Sequence, residues 1–320
     1  MFKKCLLHVL LLCALLNSSC KKENEILTPQ SIASGTSGEG NYSNARIGDL
    51  VTNIDNPASY RGLYVDGIDG IIGHATAEDD LINYAVDNGI NSFEFYGLKN
   101  LIKSSSNYAK VRSFLSRCSQ NGITNRINVI VYYAGSINTS DSTYVRKYNN
   151  SCSSSSQKIT GINLEWEWWN GATTWAIYDA TLRSYYNWTK TLSPDLTNEV
   201  YFGWFKNPTG LELSMATELV KYCDRILVHD YRPSPDVAYM QSRMDYLGQA
   251  ALNLGSTKKI IVLFSAEPSF MGPYYSTHTF DASYQSIVSQ YTAASFAGKA
   301  GLRVYGWQLF HYSYALQYRP

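Results

Sequence analysis

The sequence predicts a (β/α)8 TIM barrel of the α/β class, on three observations. Eight short apolar runs of strand length recur along the chain. Helical patterns lie between them. Successive runs start roughly 25 to 45 residues apart, the length of a strand-helix-strand unit. An open doubly wound sheet would show the same alternation, but no glycine-rich phosphate loop follows the first run. The 320 residues allow one large domain or two small ones. No internal repeat or second domain stands out, so residues 46–320 read as one barrel.

The first twenty residues precede the fold. Lys3 and Lys4 give a positive start, and residues 5–16 are apolar but for His8. That run is too short to span a membrane and has the length of a signal-peptide core. Leu16-Asn17-Ser18-Ser19-Cys20 then places small residues ahead of a cysteine, as a bacterial lipoprotein signal does. In that reading Cys20 is lipidated and becomes the new N-terminus; an ordinary secretory signal is the alternative. Either exports the chain, to the outer membrane or cell surface on a lipid anchor, or to the periplasm or medium. Residues 21–45 are Lys-, Glu-, Ser-, Gly- and Asn-rich and read as a flexible linker.

The strand candidates are 62–65, 92–96, 126–133, 160–167, 200–204, 225–231, 259–264 and 303–309. Helical spacing of apolar groups is found at 77–86, with acids in the first turn and Asn88-Gly89 as a stop. Residues 108–117 end in the same manner at Asn121-Gly122, and 173–190, 214–222, 238–254 and 283–297 complete the set. The last strand ends near residue 310, which leaves no room for a full eighth helix. That helix is short or missing, or the segment ahead of the first strand covers the gap.

Composition narrows the partners. Net charge is +1, with 45% hydrophobic and 17% charged residues. Nothing in that balance grips nucleic acid or an anionic membrane, so membrane contact is expected only through the lipid anchor. The chain holds 26 Tyr and 7 Trp, flat apolar faces with polar tips that suit a groove holding sugar or peptide. Beyond the signal, Cys118, Cys152 and Cys223 remain, enough for at most one disulfide and without zinc-site spacing. Asp66, Asp69 and His74 also lack ligand spacing. No metal or cofactor is expected, and a monomer is.

The chemistry points to residues 159–170. Strand alternation sends Ile162, Leu164, Trp166 and Trp168 to one face and Asn163, Glu165, Glu167 and Trp169 to the other. Carboxylates on a central strand need a partner, a cavity or a catalytic role. A structural pair bound to Arg or Lys inside the barrel is the bland alternative. Barrel active sites lie at the C-terminal strand ends. Here those ends carry Asp66, Glu94, Tyr96, Glu165, Glu167, Trp168, Trp169, Trp204, His229, Tyr231, Glu267 and Trp307. Acids ringed by indoles and phenols fit a carbohydrate site, where rings stack on sugar faces and acids handle the glycosidic oxygen. An isolated histidine such as His229 reads as a core residue, and Trp166 as packing against the helices.

Gly161-Ile162-Asn163-Leu164-Glu165-Trp166-Glu167 resembles the fourth-strand motif D-G-x-D-x-D-x-E of glycoside hydrolase family 18, the chitinases and endo-β-N-acetylglucosaminidases. Glu167 falls on the catalytic acid and Glu165 on the aspartate that steadies the substrate acetamido group. Asn163 and Thr160 fall on the two earlier aspartates, so the acid is kept and three aspartates are changed. Asp224 to Tyr231 resembles the sixth-strand pattern ending in M-x-Y-D, with Tyr231 on its tyrosine, His229 on the methionine and Arg232 on the last aspartate. Trp307 falls where that family has a tryptophan as the pocket floor. The resemblance implies a substrate-assisted retaining glycosidase acting on N-acetylglucosamine-containing glycans, chitin-like or at an N-glycan core. Its catalytic residues would be Glu167, Glu165 and Tyr231. Asn163, Trp168, Trp169, Trp204, Trp307, Tyr96, Asp66 and Glu94 would bind the oligosaccharide or glycoprotein glycan. A barrel that binds surface glycans without turnover, and a hydrolase of another class on the same scaffold, are the alternatives.

Overall fold

The computed structural model describes residues 53–131, 139–205 and 210–318. The stretches read as signal peptide, with Cys20, and as linker lie outside the described residues. Among the described residues eight parallel strands close into a barrel in sequence order. They are β1 (Tyr60–Val65), β2 (Ser92–Phe95), β3 (Asn125–Val131), β4 (Gly161–Leu164), β5 (Thr197–Phe202), β6 (Arg225–Asp230), β7 (Lys258–Ser265) and β8 (Leu302–Phe310). Closure is by β1 against β8, in register from Tyr60 opposite Gly306 to Leu63 opposite Leu309.

The longer helices lie between the strands: α1 (Ala75–Asp87), α2 (Tyr108–Gln120), α3 (Thr139–Asn150), α4 (Trp175–Leu192), α5 (Glu212–Lys221), α6 (Val237–Asn253) and α7 (Phe280–Ala293). The side chains of Thr174, Asp236 and Thr279 accept the first free amides of α4, α6 and α7. Asn88-Gly89 and Asn121-Gly122 stop α1 and α2, and both glycines take the left-handed conformation (φ 63° and 78°). The helix α3 has no counterpart in the sequence-based set. Its run Thr-Ser-Asp-Ser-Thr-Tyr-Val-Arg-Lys-Tyr-Asn-Asn is polar, and Val145 and Tyr148 are its fully buried anchors.

The segments on either side of the closing strands are short among the described residues. After β8 comes a single turn, Tyr312–Ala315. Ahead of β1, Ile54 bridges Val304, and Asp55 pairs with Arg303 at 2.7 Å. A bulge separates Ile260 opposite Val304 from Ile261 opposite Gly306, which makes Tyr305 the extra residue of β8. Gly306 is required there, because a Cβ would stand 1.8 Å from the Tyr60 carbonyl oxygen. Cys223 is a buried thiol and Cys152 a half-buried one. Among the described residues no helix is long and apolar enough to cross a membrane.

Candidate active site

The barrel lumen is polar in three tiers. In the lowest, Arg225 of β6 forms an ion pair with Glu199 of β5, and its guanidinium lies 4.8 Å from the centre of the Tyr60 ring. The Tyr60 hydroxyl donates to Gln308 at 2.9 Å. The middle tier joins three strands: the Asn163 amide donates to Glu94 at 3.1 Å and to the Tyr64 hydroxyl at 3.3 Å. Glu94, Asn163 and Glu199 are all buried. Burial, with the Glu199 charge beside it, raises Glu94 well above the ordinary carboxylate range. Burial also raises Glu199, against the pull of the Arg225 charge. Of the two, Glu199 is the one whose charge Arg225 offsets.

The upper tier holds the two predicted acids. Although the regular ladder of β4 ends at Leu164, Glu165 continues its inward face. The Tyr96 hydroxyl reaches both Glu165 oxygens, at 2.8 and 2.9 Å. Glu165 is closely surrounded yet keeps contact with solvent. Burial lifts it to about 8, opposed by the bond from Tyr96 and assisted by the charge of Glu167. Glu167 is half-buried. Burial raises it too, while the bond donated by the Asn170 amide holds the rise back. Among the described residues neither acid makes an ion pair with Arg or Lys, which sets them apart from Glu199 below.

Phenols and one phenylalanine enclose these acids. The rings of Tyr201 and Tyr231 lie 6.5 Å apart, and the charges of both acids act on Tyr231. Phe310, at the end of β8, lies 5.6 Å from Tyr64, 6.2 Å from Tyr96 and 6.2 Å from Tyr231. Tyr64, Tyr201 and Phe310 were absent from the sequence-based set. Their signal was position alone: inward parity at the C-terminal end of a strand.

Of the predicted residues, Glu165, Glu167, Tyr96 and Tyr231 converge. Several do not. Glu94 and Asn163 face the lumen but are fully buried, with Tyr64 opposite Glu94 and against the Asn163 amide. Trp307 is fully buried and faces the helix layer, 5.8 Å from Phe280. The bulge at Tyr305 is the reason, since it fixes the parity that turns Gln308 inward and Trp307 outward; Phe310 takes the position facing the mouth. Trp168 is buried against Tyr178 (4.2 Å) and stacks on Phe202 (5.7 Å), between barrel and α4. Trp169 is also buried, packed on Tyr201 at 5.4 Å and over Gly203, where a Cβ would meet its indole at 2.5 Å. It backs Tyr201 rather than opening a sugar platform. Trp204 is half-buried, with the Arg243 guanidinium 4.2 Å from its ring centre.

Asp66 sits at the mouth with its oxygens already engaged. His311 lies 3.1 Å away, and the Ser313 amide and hydroxyl both donate to it. Burial pushes Asp66 up, but the bonds from His311 and Ser313 outweigh it and bring the carboxyl down to about 2. Asp66 thus ties the end of β1 to the turn after β8. His229 is buried among Trp204, Tyr201, Tyr231 and Tyr239, and burial lowers it well below the usual imidazole range, the Arg243 charge adding to the effect. Among the described residues no group of three or more His, Cys, Asp or Glu is arranged to hold a metal ion.

Two small spaces lie off the barrel axis. One, of about 10 Å³, is walled by Ile162, Leu182 and Tyr222, room for about one water. The other is a surface hollow of about 390 Å³ between Tyr84, Asp87 and Tyr312. Neither is lined by Glu165 or Glu167.

No family model matches the chain, and no curated protein matches it. Solved structures do. A GH18 chitinase from Pseudoalteromonas aurantia is 13% identical, with 81% of this chain and 98% of that one covered and a TM-score of 0.41. The ICChI chitinase from Ipomoea carnea is 13% identical over 81% and 97% of the two chains, TM-score 0.43. A modular endo-β-1,4-mannanase from Cellulomonas fimi is 10% identical over 80% and 66%, TM-score 0.46. Likeness of this order assigns neither family nor substrate. The fold itself is a TIM barrel, on the closed eight-stranded sheet and its alternating helices.

Proposed function

We propose that the protein is a glycoside hydrolase acting on N-acetylglucosamine-containing glycans by a substrate-assisted, retaining route. The observation that carries this reading is the upper carboxyl pair. Two acids stand at the C-terminal end of β4 with no Arg or Lys to neutralise them among the described residues, ringed by the phenols of Tyr96, Tyr201 and Tyr231. Acids left without a counter-charge at a barrel mouth are matched to a proton-transfer task, not to holding the fold together.

In this proposal Glu167 donates its proton to the leaving glycosidic oxygen. The substrate's own acetamido oxygen attacks the anomeric carbon, and the bond to the leaving oxygen breaks. Glu165 accepts a hydrogen bond from the acetamido N–H and steadies the oxazolinium, while the Tyr231 hydroxyl donates to the acetamido oxygen. Water then opens the ring with Glu167 as base. Because Glu165 is lifted to about 8, the last proton of the pair rests mostly on Glu165, and the working form, Glu165 charged and Glu167 protonated, is the minor arrangement. The two acids titrate as a unit. Hydrolysis then peaks where the pair holds one proton and falls on either side. Export on a lipid anchor at Cys20 belongs to the same proposal.

A second reading, glycan binding without turnover, is favoured by one observation: an acid lifted to about 8 is neutral at pH 7 and offers no charge to an oxazolinium. One experiment separates the two. Purified protein is incubated with chitin oligomers and high-mannose glycans, and reducing ends are counted beside calorimetric binding, for wild type and Glu167→Gln. Release lost in Glu167→Gln with binding retained supports hydrolysis. Binding without release in wild type supports the second reading, and neither binding nor release removes both.

A further inference from the structure

A third acid stands at the barrel mouth with no part in the proposed hydrolysis. Glu267 follows the end of β7. Its carboxyl accepts one bond, from the Ser265 hydroxyl at 2.9 Å, and its own amide donates to the same hydroxyl at 3.2 Å. Glu267 is half-buried and, among the described residues, makes no ion pair with Arg or Lys.

The turn that carries it is fixed by its backbone. The Ala266 amide donates to the Phe310 carbonyl at 2.5 Å and the Met271 amide to the Ser265 carbonyl at 3.1 Å. The amides of Phe270 and Gly272 both donate to the Glu267 carbonyl, at 3.0 and 3.1 Å. At Gly272 a Cβ would stand 2.7 Å from the Tyr318 ring and 2.8 Å from the Ala266 carbonyl oxygen. Ser265 and Met271, on either side of the turn, are fully buried. The turn therefore holds its shape before any ligand arrives, which lowers the ordering cost of binding.

Phe270 lies in the same turn and is only half-buried. Its ring centre is 5.1 Å from that of Tyr231, and the Glu267 charge acts on Tyr231 ahead of those of Glu165 and Glu167. An acid and an aromatic ring thus share the neighbourhood of Tyr231. The arginines around that tyrosine are engaged elsewhere. Arg232 lies 3.6 Å from Asp236 and 5.1 Å from the centre of the Tyr239 ring. Arg243 donates to the Gly203 and Tyr239 carbonyls.

An ionised carboxyl only accepts, and an aromatic face attracts positive charge. Among the groups a glycan carries, a protonated amine meets both demands. A hydroxyl serves the carboxyl alone, and an acetamido N–H brings no charge. The charges of Glu165, Glu167 and Glu267 also repel one another, and a bound cation relieves that, most of all at low salt.

We propose that Glu267 and Phe270 form a subsite for a free-amine sugar, a glucosamine unit next to the N-acetylated unit held by Glu165 and Tyr231. The inference rests on the reading of the mouth as a glycan site and narrows its substrate to partly de-N-acetylated glycans. Glu267 sets specificity: it binds the ammonium group, and no covalent bond changes there.

The test is calorimetry on the full chain carrying Glu167→Gln, so that no ligand is consumed. The probes are fully N-acetylated chitotetraose and a partly de-N-acetylated chitotetraose. The second is expected to bind about tenfold tighter at low salt, the scale of one charge-assisted contact, with the gap closing at high salt. Adding Glu267→Gln removes the gap, and adding Phe270→Ala narrows it. Equal affinities, a gap that survives Glu267→Gln, or no binding of either tetramer overturns the subsite. Should Phe270→Ala not fold, Glu267→Gln decides alone, since that carboxyl bonds only to Ser265. The two readings fail separately. Release of reducing ends by wild type with equal affinities keeps the hydrolase and removes the subsite. A preference that depends on Glu267, without release by wild type, keeps the subsite and removes the hydrolase.

Discussion

Two pairs of glutamates occupy one lumen, and their differences define the site. The lower pair, Glu94 and Glu199, is sealed, and Arg225 forms an ion pair with Glu199. The upper pair, Glu165 and Glu167, keeps contact with solvent and meets only phenols and an amide among the described residues. The lower arrangement is what structure demands of buried charge. The upper one contributes no ion pair among the described residues, and burial raises both acids. A barrel carrying both shows that acidity inside a lumen is not by itself a sign of catalysis; the proposed role of the upper pair rests on its having no Arg or Lys partner among the described residues.

The comparison breaks most visibly at Glu167. Glu167→Gln is expected to lower glycan hydrolysis by roughly 10²–10⁴, the usual scale for a general acid, with the thermal unfolding temperature unchanged or higher. A variant that hydrolyses as fast as wild type returns the upper pair to a structural role. The mirror experiment lies below. Arg225→Met strands Glu199 without its cation and is expected to cost about 3–5 kcal/mol in urea unfolding, before any question of activity arises.

pH distinguishes the pairs next. The folded Glu165 carboxyl sits at about 8 against 4.5 for an ordinary glutamate, so the fold favours its protonated form. Stability held below the ordinary value is lost as pH rises and is fully gone above about 8. Glu165→Gln, which cannot ionise, is therefore expected to be more stable than wild type at pH 9, on the order of 2 kcal/mol once solvent contact is allowed for. At pH 4 the two are expected to unfold alike. Equal stability at both pH values would place Glu165 in water. The smallest effect is expected at Tyr231, where Tyr231→Phe removes one hydroxyl donor and lowers turnover on an N-acetylated substrate about tenfold, with a lesser effect on a substrate lacking the acetamido group.

Much of this was legible in the residues. All eight strands were, because a parallel barrel buries both strand faces and writes them as apolar runs. The inward acids Glu165 and Glu167 followed from two-residue periodicity alone. Trp307 did not. Its assignment needs the count of residues along β8, and the extra residue Tyr305 changes that count without any local signal. Trp168 and Trp169 were misread for a related reason: an indole near a strand end fits equally a sugar platform or the space between barrel and helix, and burial alone decides. Glu94 and Asn163 were placed in the lumen correctly but at the wrong depth, since parity gives a direction and not a height. The helix α3 escaped because its polar surface hides a face of two anchors.

The most direct test is a crystal structure of Glu167→Gln soaked with an N-acetylglucosamine oligosaccharide. The account predicts a sugar at the barrel mouth, its acetamido group between Glu165 and Tyr231 and its glycosidic oxygen facing residue 167. An oligosaccharide bound only elsewhere on the surface, with the space over Glu165 filled by protein, would contradict it.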